Sequence, residues 1–276
     1  MTITCPDNYI DQVICGDCLD VMRGMPDESV DLVFADPPFN VGKPYQDKRD
    51  NYRGWCSQWI TECFRLLKPT GSFYLMTLTR HLEWKLPLMA AQGIFINLIS
   101  WRNVSATHSK RRYWGEYQPI MLYGKTENYI FNTYAETMES GWRRWSGYSE
   151  NSGYKGQLKD RWDDVCFVYA GSIQHQEAIL EVGTNKKAHP CQMPEGLPTR
   201  AMLFSSNPGD IVLDPFGGSG STVIACIKNN RQYIYIDNCK KYCDMTESRI
   251  ADTLEEIAEA ARQLDLFDEG VTDINK

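Results

Sequence analysis

Asp210-Ile211-Val212-Leu213-Asp214-Pro215-Phe216-Gly217-Gly218-Ser219-Gly220-Ser221-Thr222 opens on an apolar run, turns on three glycines and leads into Val223-Ile224-Ala225-Cys226-Ile227. That order predicts a buried strand, a glycine turn and an apolar helix, the first half of a nucleotide-binding βαβ unit. The glycines permit a tight turn and close ligand approach, and the start of the helix presents N–H groups that have no intrahelical partner. Tyr233-Ile234-Tyr235-Ile236 then predicts a second strand ending on Asp237, about twenty residues past the glycines, where an acid that binds ribose hydroxyls is expected. The chain is therefore read as α/β, with a mixed, mostly parallel sheet and helices on both faces.

Working outward, Val30-Asp31-Leu32-Val33-Phe34-Ala35 has the apolar character of a strand buried on both faces, and Asp36-Pro37-Pro38-Phe39 follows it directly. The tetrapeptide thus falls at the carboxyl end of a parallel strand, where open α/β sheets bind ligands. Pro38 holds Pro37 extended, and neither proline has an N–H. The Pro37 carbonyl and the Asp36 carboxylate then converge as two acceptors suited to the amino group of a base, with Phe39 as a stacking face worth ~1–3 kcal/mol. A proline strand terminator with a capping Asp is the plainer alternative. A strand, glycine turn, helix, strand and acid elsewhere in the chain favour the functional one.

Together these motifs resemble those of the DNA amino-methyltransferases that use S-adenosylmethionine. Asp36-Pro37-Pro38-Phe39 matches their catalytic motif, and Asp214-Pro215-Phe216-Gly217-Gly218-Ser219-Gly220 their cofactor motif. The catalytic motif comes first, with a long insert between, as in the circularly permuted β class. The match covers most of residues 11 to 250. The resemblance implies a Rossmann-like methyltransferase fold acting on N6 of adenine, since Asp in the first position goes with adenine and Ser more often with cytosine N4. It also implies that Gly217 to Gly220 seat the methionine end, Asp237 the ribose and Asp17 the adenine ring, with Asp214 and Phe216 part of the same cofactor site. Capping of the next helix is the alternative for Asp17. Lys186-Lys187-Ala188-His189-Pro190-Cys191-Gln192-Met193-Pro194 is similar to the family segment His-Pro-x-x-Lys-Pro, which puts His189 and Pro190 beside the cofactor. Met193 replaces the lysine, and Tyr117-Gln118 stand where the family carries a His-Glu pair, so no role transfers at those positions.

The implied organisation is a catalytic half (1–132), a target-recognition insert (133–185), a cofactor-binding half (186–250) and a C-terminal helix with an acidic tail (251–276). Strands are expected at Gln12–Cys15, Ser72–Met76, Phe95–Trp101, Pro119–Tyr123 and Tyr129–Phe131. Helices are expected over Cys18–Met25, around Trp55–Leu67 with Lys68–Gly71 ending it, over His81–Gln92 and over Glu195–Ser206. Trp55 and Trp59 recur at helical spacing and read as core, and His81 as a surface residue. The polar segment from Asn40 to Gly54, with Lys43, Lys48, Arg49 and Arg53, reads either as a loop closing on the site or as a solvated one. In the insert, aromatics alternate with bases. Arg143, Arg144, Lys155, Lys159 and Arg161, with Arg111 and Arg112 before it, are the expected DNA contacts, against the alternative of a small subdomain with a solvated basic face.

From Lys240 on, Tyr242, Met245, Ile250, Leu254, Ile257, Ala261 and Leu264 mark a buried stripe on one long helix, with too few heptads to argue for a coiled-coil homodimer, which stays open. Gln263-Leu264-Asp265-Leu266-Phe267 resembles the pentapeptide with which bacterial replication and repair proteins dock on the sliding clamp. An extended segment would lay Leu264, Leu266 and Phe267 in a groove, and a helix end packing on its own core is the alternative.

The chain has 276 residues, of which 42% are hydrophobic, enough for a large core. No run approaches the ~18 apolar residues of a membrane span. The first residues have neither a basic region nor an apolar core, so no secretory signal is expected, and ten cysteines then read as reduced cytoplasmic thiols. Cys15-Gly16-Asp17-Cys18 has no second pair to complete a metal site. The formal charge of −7 is concentrated in residues 251 to 276, which carry −6, while residues 102 to 170 carry +2. Such a balance permits a DNA partner without arguing for one. Methylation of cytosine N4, of RNA or of a protein amide, and a nucleotide-dependent oxidoreductase or binding module, are the rival readings. The Pro-Pro motif speaks against the last two.

Overall fold

The computed structural model describes residues 8–42, 49–104, 115–132 and 183–272, together with 111, 113, 159–163, 165, 168–169, 172–173 and 178–181. The strands are β1 (Gln12–Cys15), β2 (Val30–Ala35), β3 (Leu67–Met76), β4 (Ile94–Val104), β5 (Tyr117–Gly124), the short β6 (Arg161–Trp162), β7 (Val168–Tyr169) and β8 (Ser172–Ile173), then β9 (Ile211–Asp214) and β10 (Gln232–Asp237). The helices are α1 (Cys18–Arg23), α2 (Tyr52–Leu66), α3 (Leu82–Ala90), α4 (Gly196–Ser205), α5 (Ser221–Lys228) and α6 (Lys240–Thr272).

The strands lie in the order β1-β10-β9-β2-β3-β5-β4-β7-β8, with β6 also beside β4. From β1 to β3 every neighbour is parallel, and β5 runs antiparallel to both β3 and β4. The expected mixed, mostly parallel sheet is therefore present. Although β9 comes late in the chain, it sits at the centre beside β2, so the glycine motif and the Pro-Pro motif leave adjacent strands in the same direction.

Alternation along the strands builds two cores. Val33, Ala35, Phe73, Leu75, Leu213, Ile234 and Ile236 face one side, where α1, α2 and α3 cover them with Trp59, Ile60, Cys63 and Met22. Leu32, Phe34, Tyr74, Met76, Val212, Tyr233 and Tyr235 face the other, packed under α4 and α5. A sheet covered on both faces needs strands apolar at every position, which is why β2 and β9 read as continuous hydrophobic runs. Asp31 breaks that run for a reason. Its buried carboxylate takes Lys68 Nζ of β3 at 2.8 Å and the Ile211 N–H of β9 at 2.9 Å, so one residue ties three strands together.

Four expectations are corrected. Tyr129–Phe131 is not a strand: it makes one backbone bond, Ile130 N–H to Thr70 O, before Asn132 draws it away to the end of α4 through Phe204 O and Ser206 O. Lys68–Gly71 does not simply end α2, because β3 starts at Leu67, and the pairing with β2 slips register between Val30 and Leu32. His81 is buried rather than on the surface, held between Tyr52 and Trp84 at ring-centroid distances of 5.5 and 5.7 Å. The stripe on α6 is buried only as far as Thr253. Leu254 and Ile257 are 51% and 43% exposed, because a 33-residue helix, roughly 50 Å long, outruns the sheet it packs on. The backbone of Gln263–Phe267 is helical within α6 rather than extended. No helix among the described residues is long and apolar enough to cross a membrane.

Candidate active site

The carboxyl ends of β1, β10, β9, β2 and β3 open into one cavity of about 1690 Å³. Its lining contains both motifs: Asp36, Pro37, Pro38 and Phe39 after β2, and Asp214, Phe216, Gly217, Gly218 and Ser219 after β9. Asp17, Asp237 and His189 line it as well. Two residues expected at the cofactor do not: Pro190 is exposed to solvent, and Gly220 is turned into the start of α5 against Thr246.

The glycine turn is fixed from beneath. Asp214 accepts from the Phe216 N–H at 3.0 Å and from the Thr222 hydroxyl at 2.6 Å, so its carboxylate braces the turn, and burial pushes it up to about 7. A β-carbon on Gly217 would lie 2.0 Å from the ring of Tyr235, whose hydroxyl donates to the Gly218 carbonyl at 2.9 Å. Gly218 has φ +49° and Gly220 φ +77°, left-handed conformations that suit glycine. The Gly218 N–H donates to Asp237 Oδ2 at 2.9 Å and the Cys239 N–H to its Oδ1 at 2.8 Å, while burial raises that carboxyl. Asp237 therefore orients the turn as well as bordering the cavity. Asp17 caps α1 through the Leu19 N–H at 2.9 Å, the alternative role read from the sequence, yet it also faces the cavity. His189 packs edge-on against Tyr242, with centroids 4.5 Å apart, and accepts from the Cys191 N–H. Burial lowers it to about 4, so its ring is neutral at pH 7. Met193, in the family's lysine position, borders the cavity and accepts the Ser221 hydroxyl on its carbonyl at 2.6 Å.

On the other side of the cavity the Asp36 carboxylate has one oxygen, Oδ1, shut off from solvent and without a hydrogen-bond partner. Burial and, to a lesser extent, the neighbouring Asp214 raise this group to about 7 against an opposing pull from Lys85. Among the described residues no group donates to the Pro37 carbonyl, while Pro38 O accepts the Tyr52 hydroxyl at 2.8 Å, which pins the turn to α2. An acid and a carbonyl thus face the cavity with acceptor capacity to spare, as a planar amino group requires. Trp55 and Trp59 are buried, as their spacing predicts, and pack on Phe216 at 5.6 and 5.0 Å, coupling α2 to the glycine turn.

Arg49, from the polar segment read either as a loop closing on the site or as a solvated one, lays its guanidinium over Trp55 at 4.2 Å and borders the cavity. Other residues here carry no signal that sequence reading could use. Thr77 Oγ1 and Trp101 Nε1 are buried, unpartnered and face the same space, beside an Asn103–Gln118 amide pair at 2.6 Å. Lys85 is fully buried in α3. Among the expected DNA contacts, Arg111, Lys159 and Arg161 are exposed, and Arg161 pairs with Asp163 at 2.5 Å. Arg112, Arg143, Arg144 and Lys155, with most of the insert from 133 to 185, lie outside the described residues. The exposed Tyr113 and Tyr117 stand at the rim of the cavity.

Comparison with known proteins bears on this geometry. A family described as DNA methylase matches residues 30–248. The chain is 34% identical over 256 residues to DNA adenine methyltransferase YhdJ of Escherichia coli K12, covering 88% of this chain and 83% of the relative. Among solved structures, the M1.HpyAVI–SAM complex superposes with a TM-score of 0.57 at 20% identity, covering 86% of this chain and 97% of that one. The cytosine-N4-specific PvuII DNA methyltransferase superposes with 0.61 at 18% identity, covering 88% and 90%. Those two likenesses speak for the fold.

Proposed function

The chain belongs to the DNA methylase family and is an enzyme of that class, and we propose that it moves the methyl group of S-adenosylmethionine to N6 of an adenine flipped out of double-stranded DNA. The observation that carries this reading is the single cavity in which the turn after β9 and the acid after β2 face each other. A base inside the stack is out of reach of such a crevice, so extrusion is required. S-adenosylmethionine supplies an electrophilic methyl on a sulfonium. Gly217, Gly218 and Ser219 would seat its methionine end, Asp237 its ribose and Asp17 its adenine ring. His189, neutral and packed on Tyr242, walls the same half of the cavity.

Asp36 and the Pro37 carbonyl accept the two hydrogens of the target amino group and turn its lone pair towards the donor. Bound there, S-adenosylmethionine would supply the methyl that this lone pair takes up, with the thioether as the leaving group. Positive charge grows on the amino nitrogen, and the Asp36 carboxylate stabilises it in a site shielded from water. The extra proton leaves afterwards to solvent, so no strong base is needed. Phe39 stacks on the base. Adenine is favoured over cytosine by Asp in the first position of the motif and by the name of the Escherichia coli relative. Mass spectrometry of digested DNA after incubation with the protein tests the choice: 6-methyladenine is expected, and 4-methylcytosine alone refutes it.

The exposed Arg111, Lys159 and Arg161 are proposed to hold DNA phosphates on the β4–β6 side of the cavity, and the protein to work in the cytoplasm, where its substrate lies. Docking on a sliding clamp through Gln263, Leu264, Leu266 and Phe267 would require the last turns of α6 to unwind. A pull-down with purified clamp, comparing the chain with a Leu266→Ala, Phe267→Ala variant, tests it, and equal recovery rules it out.

A further inference from the structure

An indole N–H can only donate, and a buried one as a rule finds an acceptor. Among the described residues three tryptophans have that N–H buried without a partner: Trp55, Trp59 and Trp101. Trp59 does not border the central cavity, and Trp55 packs on Phe216 of the glycine turn. Trp101 lines the cavity from a different strand and is only 3% exposed.

Strand order divides that cavity. Asp17, Asp237 and Gly218 stand at the ends of β1, β10 and β9, so the groups assigned to the cofactor fill one side. Asp36, at the end of β2, marks the boundary, and Trp101 stands on the other side, on β4. Alternation puts it on the same face as the carboxylate. Leu32 and Phe34 belong to the core under α4 and α5, and Asp36 continues that alternation; Met76, Ile120, Ile99 and Trp101 belong to the same core. Ala35 pairs with Leu75, Met76 with Ile120 and Ile120 with Ile99, so Trp101 stands two residues further out than Asp36. Three strand spacings, roughly 14 Å, separate the backbones of β2 and β4. The two side chains take up part of that span, and the rest suits one flat ring held between them. Gln118, directly opposite Trp101 on β5, has its side-chain oxygen on Asn103 Nδ2 at 2.6 Å, so the indole N–H is left to the cavity.

We propose that Trp101 is a specificity-determining residue, which donates its indole N–H to a ring nitrogen of the flipped adenine. The inference rests on the function proposed above. With the amino group held by Asp36 and the Pro37 carbonyl, adenine's other hydrogen-bonding positions are N1, N3 and N7. All three are acceptors, the complement of a group that can only donate. Guanine N1 and thymine N3 carry hydrogens, so a base presenting either to Trp101 sets donor against donor and leaves both unpaired in a buried site. Trp101 exchanges no proton in the reaction. It holds the ring while Asp36 holds the amino group, and two fixed edges orient a base better than one.

The test is methyl transfer by the full chain from labelled S-adenosylmethionine to duplexes spanning a site that it methylates. The target position carries adenine or its 1-deaza, 3-deaza or 7-deaza analogue, each with one ring nitrogen replaced by C–H. Trp101→Phe should lower kcat/KM on adenine by about tenfold, with cofactor affinity within about twofold of wild type. On one of the analogues the wild-type protein should already be as slow, and there the variant should match it within about twofold. An equal loss on all four duplexes overturns the inference, because a merely structural role would do that, and so does no loss on any. The second arm replaces Trp101 with benzothienylalanine, which keeps the ring's shape and puts sulfur where the N–H was, so it does not depend on Trp101→Phe folding. The same selective loss is expected, and wild-type rates on adenine overturn the inference. A wild-type protein that methylates no adenine removes the proposed function itself, whereas adenine methylation that neither replacement weakens removes only the tryptophan.

Discussion

Gly217→Ala places one methyl group where the structure has no room for it. The new β-carbon would sit 2.0 and 2.1 Å from two ring carbons of Tyr235. That ring cannot swing away without cost, because it is fully buried and its hydroxyl donates to the Gly218 carbonyl. Relief must come either from the ring or from the turn, which is held by the Gly217 N–H on Ile236 O at 2.9 Å and the Gly218 N–H on Asp237. Overpacking of this kind costs ~1–3 kcal/mol, and the broken hydroxyl bond adds about 1 kcal/mol. A total of about 2–4 kcal/mol corresponds to a fall in Tm of roughly 4–16 °C for a domain of this size. Differential scanning fluorimetry reads that fall, and calorimetric titration of S-adenosylmethionine should show affinity reduced at least tenfold, since the displaced turn borders the cavity. Gly217→Ala with Tyr235→Leu makes space for the methyl, so the pair should be less destabilised than the sum of its parts. A Tm within 1 °C of wild type, with unaltered cofactor affinity, would refute the argument that the turn is locked from below.

Three further outcomes follow from the same geometry. Asp36 must be ionised to act, and with its carboxyl raised to about 7 the ionised fraction grows as pH rises; kcat/KM for the cofactor should climb about tenfold between pH 5 and 6 and level off above 8, and a profile flat from 5 to 8 contradicts this. Asp31→Ala leaves the Ile211 N–H and the Lys68 ammonium without their carboxylate. Because Lys68 keeps contact with water, the loss should be about 2–3 kcal/mol, read as a shift of the urea midpoint at unchanged slope. Deleting residues 263–276 starts beyond Leu254 and Ile257, where the apolar stripe of α6 is already exposed, so Tm should move by less than about 2 °C; a larger fall in thermal scans would contradict the reading that α6 outruns the sheet.

The parts of this molecule legible in its sequence share a physical cause. A sheet covered on both faces demands apolar strands, and a ligand at strand ends demands glycine, proline and acid immediately after them. Asp36, Gly217, Gly218 and Asp237 could therefore be located from order alone. The misreadings arise where a side chain is judged without its three-dimensional neighbours. Ile257 fits the period of a buried helix face, but periodicity does not say where the supporting sheet stops. His81 is polar and follows a loop, yet Tyr52 and Trp84 close over it from two helices. Asp237 reads as a ligand acid and Asp17 as a ligand acid or a helix cap, and both hold backbone N–H groups, because a turn that must present its own N–H groups to a ligand needs its remaining ones satisfied from beneath. Lys85 is the clearest case. In Leu82-Glu83-Trp84-Lys85-Leu86-Pro87 it has the spelling of a solvated helix residue, and only packing shows that it faces inward. Burial of that kind leaves no spacing rule, since the core on which α3 packs is built by α1, α2 and the sheet. Packing is set by distance in space, and sequence order records that distance only where local structure fixes it.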